Sequence, residues 1–178
     1  DILTNTYGYN VYHDTSVYDY VDGKLDRSKA YTYAEENVAK ILKENPSIEV
    51  VIDLHRDGVP DTTRLVTEEN GVIMSKVMFF NGISYSKAKG DIGYLYNDNR
   101  DDNLAMSLQM YLLGEAYYPG LLRNIYINAY RYCLHMKGRS MLIEAGAQTN
   151  TSTEVKNAMI PVADMLDRLL RGEKAYTQ

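Results

Sequence analysis

A short apolar segment that leads directly into titratable side chains constrains this chain more than any other feature. Residues 50–57 read Val-Val-Ile-Asp-Leu-His-Arg-Asp, and Gly58 and Pro60 follow shortly after. An apolar, β-branched run of this length is typical of a strand that is buried on both faces of a parallel sheet. Ligands of open α/β sheets bind just outside the carboxyl ends of such strands. His55 therefore lies where chemistry is expected.

A second segment of the same kind, residues 140–145, carries Glu144 near its end and is followed by Gly146. Strands are also expected over residues 9–12, 64–67, 72–80 and 124–128. Helices are expected from an N-cap at Asp26 or Ser28 to about residue 44, from an N-cap at Asn103 to about residue 118, and from the Thr151–Glu154 capping box onward. This order predicts an α/β fold, a mostly parallel twisted sheet flanked by helices, in one domain covering residues 1–178. Both apolar strands should be internal neighbours whose carboxyl ends point the same way.

Composition narrows the classes of partner. The net charge of −5 argues against nucleic acid as a partner. The chain has 17 Tyr and no Trp, and tyrosine rings at a surface can line a groove for a polar ligand. The single cysteine, Cys133, excludes an internal disulfide and a cysteine-based zinc site.

Glu144 is the most informative charged residue, because a carboxylate in an apolar strand is costly unless it is satisfied or its pKa is raised. A glutamate of raised pKa beside a metal-bound water suits metal-assisted hydrolysis. The alternative is that Glu144 forms a buried ion pair with Arg56 or Arg139. Likewise, a single histidine at a strand end, such as His55, is often structural. Spacing alone leaves these alternatives open, and it assigns no metal-binding role to His13 or His135.

Two segments, 51–57 (Val-Ile-Asp-Leu-His-Arg-Asp) and 142–151 (Leu-Ile-Glu-Ala-Gly-Ala-Gln-Thr-Asn-Thr), resemble the stage II sporulation protein P family. These proteins are peptidoglycan hydrolases of endospore engulfment and are related to zinc N-acetylmuramoyl-L-alanine amidases. The resemblance extends over nearly the whole chain and includes the shorter segments 11–15, 44–48, 103–109 and 118–121.

The resemblance implies an amidase-like fold and a zinc-activated water that cleaves the amide between N-acetylmuramic acid and L-alanine. It also implies possible endopeptidase activity on stem-peptide cross-links. His55 would be a zinc ligand and Glu144 the catalytic carboxylate. Arg56, beside His55, is expected to bind a carboxylate of the stem peptide; alternatively it pairs with Asp53, Asp57 or Glu144.

The family's first motif, a His-Thr-His followed by Glu-Ser and an aromatic residue, does not occur in this chain. Its strand, one helix and the remaining ligands of the single zinc ion are therefore expected upstream of Asp1. The resemblance further implies peptidoglycan and the stage II sporulation protein D transglycosylase as partners. It implies an extracytoplasmic location, membrane-anchored in the full-length protein, between mother cell and forespore. The alternative is a non-catalytic wall-binding or scaffold module on the same fold.

Overall fold

The computed structural model describes residues 1–21 and 23–175. The helices are α1 (Ile2–Asn5), α2 (Ala30–Glu44), α3 (Arg100–Tyr117) and α4 (Ser152–Leu170). The strands are β1 (Tyr20–Val21), β2 (Lys24–Leu25), β3 (Val51–Asp57), β4 (Val66–Glu69), β5 (Val72–Ser75), β6 (Val77–Gly82), β7 (Tyr85–Ser86), β8 (Gly90–Asp91), β9 (Tyr126–Asn128) and β10 (Ser140–Ala147). In this part of the chain no helix combines the length and apolar character needed to cross a membrane.

The central sheet contains four strands in the order β3-β10-β6-β9. The β3–β10 and β6–β9 pairs are parallel, and the β10–β6 pair is antiparallel. The predicted α/β fold with a mostly parallel sheet flanked by helices is thus confirmed. That residues 1–178 form one domain stays a prediction.

The prediction that both apolar strands are internal is right for β10 and wrong for β3. β10 lies between β3 and β6, and seven of its eight residues are buried. β3 lies at the edge of the described sheet, so its residues are only partly buried or exposed, and Leu54 retains 55% exposure. The two strands are nevertheless parallel neighbours, so their carboxyl ends do point the same way.

The hydrophobic core lies between the sheet and the helix pair α3 and α4. It is built from alternate residues of β6 and β10 and from the inner faces of the two helices: Val77, Phe79, Met106, Met110, Leu113, Met141, Ile143, Ala158, Val162, Met165 and Leu166. On the opposite face the short 3-10 turn Leu134–Met136 contacts β10 and α2, and Tyr31 of α2 bonds to Asp53 of β3. Functional side chains on this second face therefore lie outside the main core.

Local sequence signals account for the hairpin and for the start of α4. Asn70 and Gly71 join β4 to β5, and both have positive φ angles (51° and 80°), as a tight two-residue hairpin turn requires. Thr151 caps α4 in the expected reciprocal capping box with Glu154. The long polar loop that begins at Asn81 contains the small β7–β8 hairpin.

Two local predictions are wrong. Residues 9–12 form no strand; instead the hydroxyls of Tyr7 and Tyr9 bond to Asp164 and Asp167 of α4, which fixes the segment without a sheet partner. Asn103 is not an N-cap, because α3 begins at Arg100. The Asn103 side chain is instead buried and donates to the carbonyls of Lys137 and Gly138.

Candidate active site

His55 and Glu144 are paired residues on the neighbouring parallel strands β3 and β10. Residues paired in this way project to the same face of a sheet, and alternate residues of one strand share that face. Asp53 and Asp57 therefore lie on the His55 face, whereas Arg56 lies on the other. A bulge in β10 follows directly, since the next pair joins Ala147 to Asp57. The imidazole of His55 and the carboxylate of Glu144, both predicted from the sequence, thus meet at the carboxyl ends of the strands.

Asp53 orients the imidazole of His55. The distance from His55 Nε2 to Asp53 Oδ1 is 2.7 Å, and the Tyr31 hydroxyl donates to the other Asp53 oxygen over 2.9 Å. The ring of Tyr31 lies nearly parallel to the imidazole, at 8°. Hydrogen bonding to Asp53 raises the pKa of His55. Because Nε2 donates to Asp53, Nδ1 is the nitrogen left to accept a bond.

Glu144 is half-buried, and its Oε2 is a buried oxygen without a hydrogen-bond partner among the described residues. Burial raises the pKa of Glu144, and the nearby charges of His55 and Arg123 act in the opposite direction. Neither arginine considered from the sequence contacts it: Arg139 bonds to Glu49 at 3.4 Å, and Arg56 bonds to backbone carbonyls. A buried polar atom left unpaired marks a place where a ligand or water completes the bonding.

Arg56 joins the two strand ends from the opposite face. Its guanidinium donates to the carbonyl of Ala147 (3.1 and 2.6 Å) and to that of Asn150. Asn150 is itself buried and bonds to the backbone of Ala147 and Leu65. These contacts fix the turn that follows Glu144. That Arg56 binds substrate stays a prediction, and in this geometry its nitrogens are engaged by backbone oxygens.

Arg123 is a site residue that sequence reasoning missed. Its Nη1 donates to Asp57 Oδ2 over 2.7 Å, and the side chain is 27% exposed. Arg123 lies in an irregular segment after α3, between Pro119-Gly120 and β9, and no motif or periodicity marks it. Only the tertiary fold brings it to Asp57, 66 residues away in sequence.

An aromatic wall borders the same face. Tyr132 contacts Phe80 and Tyr31 edge-to-face, with ring centroids 4.9 and 5.0 Å apart. Its backbone φ is positive (53°), and its hydroxyl accepts a bond from Asn128. The wall depends on Gly82, since a Cβ there would lie 2.1 Å from the carbonyl oxygen of Tyr130.

The remaining metal-binding residue types do not join His55. His13 is exposed, and His135 contacts Glu35 at 3.2 Å, in a separate cluster with Arg131. Burial lowers the pKa of His135. Cys133 is buried, which raises its pKa to about 12, so its thiol stays protonated at neutral pH.

Among residues 1–21 and 23–175, no group of three or more His, Cys, Asp and Glu side chains is arranged to hold a metal ion. A catalytic zinc site needs three protein ligands and an open position. His55, with Nδ1 free to accept, fits the role of one ligand. The described residues alone do not form a complete zinc site.

A cleft of about 510 Å³ lies elsewhere, at the amino ends of β3 and β10, where Glu49 and Arg139 form part of its lining. Its residues belong to the end of the sheet opposite His55 and Glu144. The candidate active site, at the carboxyl ends of the strands, is therefore separate from this cleft.

Comparisons with known proteins agree with the resemblance. Residues 1–167 match the family Stage II sporulation protein P (SpoIIP). The Stage II sporulation protein P of Bacillus subtilis (strain 168) is 24% identical over 152 residues, which is 82% of this chain and 34% of that protein. The chain thus spans about a third of the length of this curated relative. No solved structure matches significantly. Because the match covers most of the chain, the chain belongs to the stage II sporulation protein P family.

Proposed function

We propose that the chain is the hydrolytic part of a peptidoglycan hydrolase that acts during endospore engulfment. The bond cleaved is the amide between N-acetylmuramic acid and L-alanine, with cross-links between stem peptides as a further target. Membership of the family gives the chain a role in sporulation. The reaction and its substrate are the proposal.

The observation that carries this proposal is the state of Glu144. Its Oε2 is buried and has no hydrogen-bond partner in the described part of the chain, and burial raises its pKa. Glu144 also pairs in register with His55. A purely structural glutamate in this position would be expected to have a cationic partner. A carboxylate that exchanges protons with water and with a leaving amine needs an oxygen that no other group engages and a pKa nearer to neutrality.

In the proposed mechanism Glu144 accepts a proton from the attacking water and later delivers it to the departing amine nitrogen. Asp53 holds the His55 ring through Nε2, which leaves Nδ1 to accept a bond. Zinc is proposed as the cofactor, with His55 as one ligand and the other ligands outside residues 1–178; when bound it would supply a water of lowered pKa. Phe80 and Tyr132 of the aromatic wall pack edge-to-face beside this face of the sheet.

Location and partners belong to the same proposal. A peptidoglycan substrate requires an extracytoplasmic site, which for a sporulating cell is the space between mother cell and forespore. The full-length protein would be membrane-anchored there and act beside the stage II sporulation protein D transglycosylase.

The test is the substitution Glu144→Gln, assayed by release of new amino groups from purified cell-wall sacculi by the full-length protein. We expect a loss of about 10²- to 10⁴-fold in rate, the usual scale for removal of a general base. Glu49→Gln is the matched control, because Glu49 is exposed at the opposite end of the sheet. Circular dichroism should show an unchanged fold. Undiminished release by the Glu144→Gln protein would overturn the assignment.

A non-catalytic wall-binding module is the second candidate, and the absence of a three-ligand metal group among the described residues favours it. That function predicts retention of the protein on sacculi with no amino-group release by the wild type. Binding that is unchanged by Glu144→Gln, together with absent hydrolysis, would establish this second function in place of the first.

A further inference from the structure

We infer that Arg123 binds a carboxylate of the substrate beside Glu144, so that the ligand is an acidic peptide. This inference rests on the proposed function, because it concerns the same site. It assigns the recognition of negative charge to Arg123 rather than to Arg56.

The backbone places Arg123 next to the end of β10. Val77, the first residue of β6, donates to the carbonyl of Leu121 (3.0 Å) and accepts from the amide of Arg123 (2.8 Å). Val77 also pairs with Ala145, the residue after Glu144. Arg123 is thus anchored by hydrogen bonds at the level of the sheet where the catalytic pair lies.

The side chain of Arg123 crosses the end of β10. Its Nη1 reaches Asp57 on β3, and β10 lies between β3 and β6 in the sheet. The guanidinium therefore passes over the carboxyl end of β10, close to Glu144. The ion pair with Asp57 holds the planar group in one orientation, and in the described part of the chain Nε and Nη2 make no hydrogen bond. Arginine presents two parallel donors to a carboxylate in this way.

The charged side chains around the site support the same inference about Arg123. Asp53, Asp57 and Glu144 lie on one face at the strand ends, and by themselves they would repel an acidic ligand. Arg123 approaches this face at the end of β10, and its charge is felt at Glu144. Arg56 lies on the other face and donates to Ala147 and Asn150. An acidic peptide at the site would therefore meet Arg123 first.

The experiment compares two N-acetylmuramoyl dipeptides that differ only in whether the second residue carries a carboxylate or a carboxamide. We measure kcat/KM for both with the full-length wild type, Arg123→Gln, Arg123→Lys and the control Arg139→Gln, whose exposed arginine pairs with Glu49. We expect wild type and control to prefer the carboxylate by about 10- to 100-fold, the usual scale of a charge-assisted hydrogen bond. Arg123→Gln should abolish the preference through KM, and Arg123→Lys, which lacks the two-donor geometry, should retain part of it.

A purely structural role for Arg123 predicts a different set of results in these measurements. It predicts a lower melting temperature and equal losses for both dipeptides, with the carboxylate preference intact, and that result would overturn the inference. Equal use of both dipeptides by wild type would overturn it as well. If wild type hydrolyses neither dipeptide, the sacculus assay decides the proposed function, and calorimetric binding decides the inference separately. Preferential binding of the carboxylate form that Arg123→Gln abolishes supports it, and equal or absent binding overturns it.

Discussion

His55 and Glu144 are the last paired residues of β3 and β10 before a bulge enters β10. Bulges bend a strand and redirect the side chains beside them, and they are frequent next to active sites. Gly146 makes this bulge possible, since its φ is +68° and a Cβ would lie 2.7 Å from Asn150 Oδ1. His55 and Glu144 are therefore held in place by a local backbone irregularity as well as by the regular hydrogen bonds between the strands.

Asp53→Asn should lower the pKa of His55, because the hydrogen bond to Asp53 is the main cause that raises it. A raised pKa of a folded histidine stabilises the protein below the unfolded value of about 6.5, and this contribution is lost as the pH rises through the folded pKa. Wild-type stability should thus decline as the pH rises above about 6.5, and the decline should be smaller in the variant. NMR titration of the imidazole and urea unfolding at several pH values, both on metal-free protein, measure the two effects.

Asp57→Asn is the control for that substitution, because Asp57 lies on the same face but bonds to Arg123 and to the amide of Gly58. It should leave the pKa of His55 near its wild-type value. An equal fall of this pKa in both variants would show that general negative charge, rather than the contact with Asp53, sets it.

Gly82→Ala should destabilise the fold by about 1–3 kcal/mol, the usual cost of forcing extra volume into packed structure. The added Cβ would meet the backbone oxygen of Tyr130 at 2.1 Å and the ring of Tyr132 at 2.7 Å. Gly58→Ala is the matched control, since a Cβ there meets nothing within 4 Å. Chemical denaturation compares the two, and equal stability would contradict the close approach of residues 130–132 to β6.

Sequence periodicity and turn chemistry accounted for the elements that depend on local interactions. The hairpin at Asn70-Gly71 and the capping box at Thr151 are specified within four residues, and both occur as expected. The edge position of β3 was not predicted, because an apolar composition does not reveal how many neighbours a strand has. The strand expected at residues 9–12 was also wrong, since long-range bonds from tyrosine hydroxyls to α4 outweigh local β propensity.

The site was predicted only in part. His55 and Glu144 follow apolar strands, so their order in the sequence carried a signal. No sequence signal marked Tyr31 or Arg123, because each contacts a site residue that lies 22 or more positions away in the sequence. Arg56 is adjacent to His55 in the sequence, and strand alternation places it on the opposite face of the sheet; substrate binding by Arg56 stays a prediction.

Arg56→Lys should lower stability by about 1 kcal/mol and leave KM unchanged, because its guanidinium bridges two backbone carbonyls that one ammonium cannot bridge in the same way. Thermal unfolding and steady-state kinetics on sacculus fragments distinguish a structural role of Arg56 from a role in substrate binding. A raised KM with unaltered stability would instead support the substrate contact expected from the sequence.

Zinc content tests the ligand assignment. A polypeptide of residues 1–178 alone should retain well under one zinc ion per chain after dialysis. In the proposed function His55 is one ligand and Glu144 transfers the proton, whereas a catalytic zinc site needs three protein ligands. The full-length protein should retain one ion, and His55→Ala should remove it, while Glu144→Gln should retain it. Inductively coupled plasma spectrometry measures each case. One equivalent of zinc in a chain that mass spectrometry shows to begin at Asp1 would contradict the assignment, and His13 and His135 would then be the ligands to substitute next.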